Sequence, residues 1–365
     1  MSSRKTGSGT LDKGLQVLEA VEKASHPVTI QELAAETGIQ RLAVYRLLET
    51  LEERGYVRRS GDKRYRATSR RRKIRIGYAA PLTGNTFRED VAASLRHAAA
   101  EAGIDSFLLH NEQDDNTTLM ANAQLLIDAR VDVAIFFQPV ESLGHMIADR
   151  LFSTGIRFIT VERPIQGGVY FGANNYQAGK LAGQALGVFA RDHWDSRFDR
   201  LILIEGMQTS TNVHARQAGA LVGLRDIAGD VLETSVIHLH GTPGRETTRA
   251  AMSTLLAGMP PHTRLLVSGF NDLSAIGALE ALRDAGRENE AAIVGHNAMH
   301  EGRDEIRKPG SAFFASVAYF PERYGDKLVK LAGALVNGDQ VAPAAYTDHV
   351  VIYRSNVDRL YPGEA

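Results

Sequence analysis

The sequence predicts an α/β protein in which a small head of three helices and a β-hairpin precedes two doubly wound, parallel-sheet lobes. Two patterns and one charge asymmetry carry that reading. From Lys73 onward, short apolar runs alternate with longer helical stretches, as in parallel sheets covered by helices on both faces. Strand candidates falling into two weakly similar halves fit two sheets better than one very wide one. Residues 1–73 carry 16 Lys and Arg against 9 Asp and Glu, so a head of +7 is joined to a remainder of −8 within a total of −1. A basic head on an acidic body is expected to meet a polyanion through the head alone.

The head is read first. Leu11, Leu15, Leu18 and Val21 recur at helical spacing, and His26-Pro27 ends that helix. Thr29 and Glu32 have the spacing of a capping box, and Gly38 closes the second helix in a tight turn. Val44, Leu47, Leu48 and Leu51 form one apolar stripe on a third helix. Gly55 then releases Tyr56–Arg59, a Ser60-Gly61-Asp62 turn and Arg64–Arg66, which is a hairpin with a basic tip. Helix, tight turn, helix and basic hairpin make a winged helix-turn-helix, whose third helix enters a DNA major groove. With the stripe facing inward, Leu42 and Arg46 lie outward, and Gln40, Arg41 and Tyr45 flank them at the helix start. Arg41 and Arg46 suit bidentate contacts to guanine. Arg58, Arg59, Lys63, Arg64 and Arg66 on the hairpin, with Arg70–Lys73 beyond, suit phosphates.

In the body, strands are predicted at Ile74–Ala79, Ser106–His110, Val131–Phe137, Ile156–Val161, Leu201–Glu205, Val231–Leu239, Leu265–Val267, Ile293–Gly295 and Phe313–Val317. Helices are predicted at Arg88–Ala102, Thr117–Ala129, Tyr176–Ala190, Val213–Ile227 and Asp272–Ala285. The division expected is a head over 1–69, a basic linker over 70–73, and a body over 74–365. Its first lobe takes about 74–173 and 320–345 and its second about 174–319 and 346–355.

Composition excludes several classes. Hydrophobic residues are 44% and charged residues 23%, an ordinary globular balance, and the absence of cysteine rules out disulfides and thiolate chemistry. The polar N-terminus has no apolar signal region, and no run approaches a membrane span of ~18 residues, so a cytoplasmic protein without membrane contact is expected. Gly179-Lys180 lacks the upstream Gly and following Ser/Thr of a phosphate loop, and no GxGxxG or GxSxG motif occurs. His238 and His240 share a strand face, whereas His296 and His300 straddle a strand end. Neither pair is read as a metal site, no cofactor is expected, and no enzyme is predicted.

The head run, with its LxVLE first helix, TIQELAAETGI, YRLLETL and GYVRR, resembles the DNA-binding domain of IclR-type transcriptional regulators. The body resembles type I periplasmic binding proteins, such as ribose-binding protein and the effector domains of LacI-type repressors. IRIGYAAPLTGNTFREDVAASL, DDNTTLMANAQLLIDARVDVAI, IRFITVERP, GANNYQAGKLAG, GFNDLSAIGALEALRDAG and IVGHN carry this likeness.

The second resemblance implies a ligand held between the lobes at the strand ends, which close around it by a hinge. It further implies contacts from Thr83, Asn85, Phe87 and Arg88, from Gln138, and from the pair Glu162-Arg163 in the first lobe. His214 or Arg216, Asn271, Asn297 and Tyr319 would complete the site. Carboxylate, guanidinium and amide together suit neighbouring hydroxyls. The departures from ribose binders (Glu162 for Asp, His214 for Arg, Asn297 for Asp, Arg88 for an aromatic) point to another sugar, a sugar acid or phosphate, or a similar polar molecule. Plainer readings stand beside these: Asn271-Asp272 as a helix cap, Arg163 and Arg216 as structural ion pairs, and Thr83, Asn85 and Asn297 as turn residues. The function expected is a ligand-responsive transcriptional regulator, a repressor, acting as a homodimer on two-fold operator DNA. The alternative is a sugar-transport binding protein without DNA function.

Overall fold

The computed structural model describes residues 9–68, 74–81, 86–110, 116–137, 139, 141–206, 211–241 and 244–362. The head comprises α1 (Gly9–Lys23), α2 (Ile30–Thr37), α3 (Arg41–Glu53), β1 (Val57–Arg59) and β2 (Tyr65–Ala67). The capping box forms: Thr29 Oγ1 accepts from Glu32 N, and Glu32 Oε2 accepts from Thr29 N at 2.7 Å. Gly38 caps α2 at φ 69°. The wing strands pair antiparallel with Arg58 opposite Arg66, and Val28 bridges to Tyr65 as an extra rung that the sequence reading lacked.

Val17, Leu18, Val21, Leu33, Val44, Leu48, Val57 and Tyr65 make the head's core. The expected α1 stripe is only half realised, because Leu11 is 64% exposed and Leu15 39%. Burial of α1 runs from Val17 to Val21, and Gly14, one turn earlier, already faces only the Leu47 side chain. The first turns of α1 overshoot the layer beneath.

The first sheet of the body is built from β3 (Arg75–Ala80), β4 (Asp105–His110), β5 (Val133–Phe137), β6 (Arg157–Val161) and β7 (Val169–Gly172), connected in part through α4 (Thr86–Glu101), α5 (Asn116–Asp128) and α6 (Gly144–Ser153). The chain then enters the second sheet through α7 (Asn175–Trp194). There follow β8 (Arg200–Gly206), α8 (Thr211–Ala228), β9 (Val236–Gly241), α9 (Arg245–Ala257), β10 (Leu265–Ser268), α10 (Asp272–Asp284), β11 (Ala291–Asn297), α11 (His300–Arg307) and β12 (Phe313–Ala318). It returns through α12 (Tyr324–Val336) to β13 (Ala344–Tyr346) and crosses once more to β14 (Val350–Tyr353) and α13 (Val357–Leu360).

The strand orders are β13-β7-β6-β5-β3-β4 and β14-β12-β11-β10-β8-β9. All body pairs are parallel except β12–β14. Each sheet has helices on both faces. α4 and α12 cover one side of the first sheet, and α5 and α6 cover the other. α7 and α8 cover one side of the second, and α9 and α10 the other. This is the predicted fold class, with β7, β13, β14 and helices α6, α9, α11, α12 and α13 added. β9 starts at Val236 rather than Val231, because Glu233–Ser235 form a 3-10 turn.

α7 and α8 cross with backbone against backbone. A Cβ on Gly183 would lie 1.9 Å from Ala220 O, and one on Gly219 would lie 2.1 Å from Tyr176 O. Only glycine permits this approach, and it sets α8, and with it Arg216, against the start of α7.

Candidate functional site

In both sheets the strand order reverses beside the first strand, β3 in one and β8 in the other. Connections leaving the carboxyl ends there open a crevice, the favoured ligand position in open α/β sheets. Residues 82–85, 138 and 207–210 fall on these connections, so the expected contacts Thr83, Asn85 and Gln138 lie outside the described residues.

Glu162 stands just past β6 with φ 64°, a left-handed conformation uncommon for a side-chain-bearing residue. Its backbone N–H donates to Phe171 O, and its Oε1 accepts from Tyr324 Oη at 2.6 Å and from Ala173 N at 3.2 Å. A Cβ on Gly172 would meet that same Oε1 at 2.9 Å, so glycine leaves the space the carboxylate occupies. Burial raises the Glu162 pKa, opposed by the Tyr324 hydrogen bond and the Arg216 charge. Arg163 is half-buried in the turn that follows.

Arg216 is the buried cation of the second lobe. Its Nε and Nη2 donate to Asn175 Oδ1 at 3.0 and 2.5 Å, and its Nη1 donates to Phe270 O. The guanidinium carbon lies 5.3 Å from the Phe270 ring centroid and 5.5 Å from that of Tyr319. His214, two residues earlier, is exposed; about 200° of helix rotation separates the two, so only Arg216 faces inward.

Tyr319 is buried between the lobes. Its Oη lies 3.2 Å from His296 Nδ1, and its ring meets Phe87 at 6.4 Å and His349 at 4.9 Å. Burial, with Arg216 nearby, holds His296 well below its usual pKa and pushes His349 down to about 4, so both imidazoles are neutral at pH 7. Phe87 also touches Tyr324, with ring centroids 5.8 Å apart. Phe87 and Arg88 belong to the first turn of α4, not to the preceding loop, and both are buried.

Asn271 Oδ1 accepts from Ser274 N at 2.8 Å, so its amide oxygen is committed to capping α10. Asn297 and Ala298 are consecutive left-handed residues, φ 91° and 52°. Ala298 N donates to Ser316 Oγ, and Met299 N donates to the buried Asp272 carboxylate, holding this turn open toward the cleft. The structure therefore gathers Phe87, Glu162, Arg216, Asn297 and Tyr319. To the expected contacts the structure adds Asn175, His296, Tyr324 and His349; Asn175 and His296 lie within the GANNYQAGKLAG and IVGHN runs, whereas nothing near Tyr324 or His349 in the sequence marked them.

On the head, Leu42 (65% exposed), Tyr45, Arg46, Gln40 and Arg41 all lie outward on or before α3. Arg41 donates to Gln31 and Tyr45 to Glu49. On the wing, Lys63 occupies a left-handed tip position and Arg59 lies over the Tyr65 ring. Arg64 donates to Pro27 O and faces Glu32 and Asp62. Arg58, also expected on phosphate, pairs with Asp339 of the body, where the wing rests on the end of α12.

The model of the periplasmic binding protein domain matches residues 76–340, and that of the IclR helix-turn-helix domain matches residues 10–61. The chain belongs to the periplasmic binding protein family. Its binding-protein body is 22% identical over 275 residues to the ribose import binding protein of Bacillus subtilis, covering 74% of this chain and 84% of that one. The D-ribose/D-allose-binding protein of Pseudomonas aeruginosa is 23% identical over 199 residues, 52% of this chain and 58% of its own length. The chain thus spans little more than half of that relative.

The transcriptional repressor IclR of Escherichia coli is 26% identical over 117 residues, covering 30% of this chain and 40% of that one. Among solved structures, a periplasmic solute binding protein from Actinobacillus succinogenes with bound D-allose matches with a TM-score of 0.67 at 15% identity, over 79% of this chain and all of that one. At that identity the likeness establishes the two-lobed binding-protein fold. Neither matched domain is of an enzyme family, and no helix among the described residues is long and apolar enough to cross a membrane.

Proposed function

We propose that this protein is a ligand-responsive transcriptional regulator, a repressor acting in the cytoplasm. The winged head binds operator DNA as part of a homodimer, and the inter-lobe cleft takes a sugar or sugar-like polar molecule. The observation that carries the reading is the union, in one chain, of an IclR helix-turn-helix domain with a periplasmic binding protein domain. Glu162, Arg216, Asn297 and Tyr319 supply acceptors and donors on both walls of the cleft, the chemistry that hydroxyl groups require. Leu42, Tyr45 and Arg46 supply a base-reading face, and Arg59, Lys63 and Arg64 a phosphate-contacting one.

The test is selection of bound duplexes from a random DNA pool by the full chain. Enrichment of a two-fold symmetric sequence, with affinity falling steeply as salt rises, is the expected outcome. The relatives that transport sugars favour a second reading, a binding protein without DNA function; enrichment of no sequence would support it.

A further inference from the structure

Beside the cleft lies a cavity of about 330 Å³, where the start of α4, the β11–α11 turn, the 319–323 crossover and the C-terminal segment meet. That volume lies at the small end of ligand pockets, roughly 300–1,000 Å³. Phe87 and Asn297 line it, and both also belong to the cleft, Phe87 through its ring contact with Tyr319. The cavity and the cleft therefore share a wall.

The remaining lining is distinctive. Asp90 and Glu322 contribute carboxylates, Arg303 a guanidinium and Thr86 a hydroxyl, and Tyr361 closes one side. Tyr361 is fixed in place: its ring stacks on Phe320, with centroids 6.0 Å apart and planes at 15°, and Arg303 Cζ lies 4.1 Å from its centroid. Arg303 is itself anchored by donating to Ala298 O. Two carboxylates against one guanidinium disfavour an anion. Donors and acceptors interspersed with an apolar wall from Phe87, Pro321, Leu360 and Tyr361 match a ring whose edge is hydroxylated and whose faces are C–H.

We propose that this cavity is an annex of the cleft that takes the second, uncharged, hydroxylated ring of a two-ring ligand, with Tyr361 as the residue that selects it. The proposal rests on the reading of the cleft as a sugar site. It implies that the ligand is a disaccharide or glycoside rather than a single sugar.

The experiment is calorimetric titration of the full chain with D-ribose, D-allose, D-glucose and D-galactose, and with disaccharides and aryl glycosides containing each. At least one two-ring compound should bind tenfold or more tightly than its own monosaccharide. Tyr361→Ala should lower that affinity at least tenfold while leaving the monosaccharide within twofold, and Tyr361→Phe should restore it. Asp90→Asn, at an exposed position of α4, should weaken the same compound even if Tyr361→Ala fails to fold. If monosaccharides bind and no two-ring compound binds better, or if the gain survives both Tyr361→Ala and Asp90→Asn, the annex is refuted and the cleft reading stands. If no compound of either kind binds, the cleft reading falls and the annex with it.

Discussion

Arg58 on the wing and Asp339 beyond α12 form a two-pronged ion pair, Nη2 to Oδ1 at 2.8 Å and Nη1 to Oδ2 at 3.1 Å, across 281 positions of sequence. Arg66, opposite Arg58 on β2, donates to the Asn337 and Gly338 carbonyls. Helix carboxyl ends leave carbonyls without intrahelical donors and carry partial negative charge, so a guanidinium there is satisfied on both counts. The head thus touches the body through the wing itself, at the segment that leads into β13 and the last crossover.

This contact makes DNA and body competitors for Arg58. Asp339→Ala should raise affinity for duplex DNA several-fold at low salt and steepen the salt dependence by about one phosphate contact, a slope near 0.9. Stability should change little, since exposed pairs contribute roughly 0–1 kcal/mol. Fluorescence anisotropy over a salt series checks this, and an unchanged slope would mean that Arg58 does not reach phosphate.

In the cleft, Arg216 is expected to outweigh Arg163. Arg216→Met removes a buried cation that three hydrogen bonds and two rings hold in place, and should lower sugar affinity well over tenfold. Arg163→Ala should lower it about tenfold, with the apo protein still folded and bound to its operator. Hydrogen bonds to charged groups contribute about 1.5–3 kcal/mol each, which sets the scale. Titration of both variants with the sugar that most stabilises the wild type reads the ranking directly; equal losses would overturn it.

Close packing of α7 on α8 predicts a stability effect remote from any ligand. Gly183→Ala places a methyl 1.9 Å from Ala220 O and 2.7 Å from Leu224 N, both backbone atoms, so the helices must separate. A loss of about 1–3 kcal/mol or more is expected in thermal unfolding, with ligand affinity reduced because α8 carries Arg216. An unchanged melting temperature would contradict the packing.

His349 gives a pH dependence whose sign is fixed. Its pKa is pushed down to about 4 by burial, against 6.5 when solvated. Between those values the unfolded chain binds the proton and the folded one does not, so stability rises as pH rises from about 4 to 6.5 and is lost on acidification. The span corresponds to roughly 3 kcal/mol. His349→Gln can still accept from Asn174 N, which donates to His349 Nε2 at 3.0 Å. Its urea-unfolding free energy should therefore vary less over that range than the wild type's, and parallel curves would refute the assignment.

Local rules made the head and most strands legible. Thr29 with Glu32, Gly38, and the stripe Val44, Leu47, Leu48 and Leu51 each specify their geometry within a few residues. The missed strands depend on partners far away: Ala344 pairs with Tyr170, and Ala315 with Tyr353, so three- and four-residue segments such as 344–346 have little periodicity to read. The site divides the same way. Glu162 and Tyr319 follow recognisable strands, and His296 meets Tyr319 across the adjacent strands β11 and β12, whereas Tyr324 and His349 become neighbours of these two only after the chain has crossed between the sheets. Asn271 looked like either a cap or a ligand contact, and its oxygen serves as the cap. The pairing of Arg58 with Asp339 was not legible, because nothing near Arg58 in sequence announces Asp339.

The most direct test of the account measures whether one chain couples sugar to DNA. A duplex enriched by selection is titrated with the full protein by anisotropy, without and with the sugar that most raises its melting temperature, alongside Arg46→Ala. The account predicts that saturating sugar shifts DNA affinity at least fivefold, that DNA shifts sugar affinity by the same factor as linkage requires, and that Arg46→Ala abolishes preference for the selected sequence at a cost of about 1–3 kcal/mol. Sequence-specific binding indifferent to every stabilising sugar, or sugar binding by a chain that selects no sequence, would contradict it.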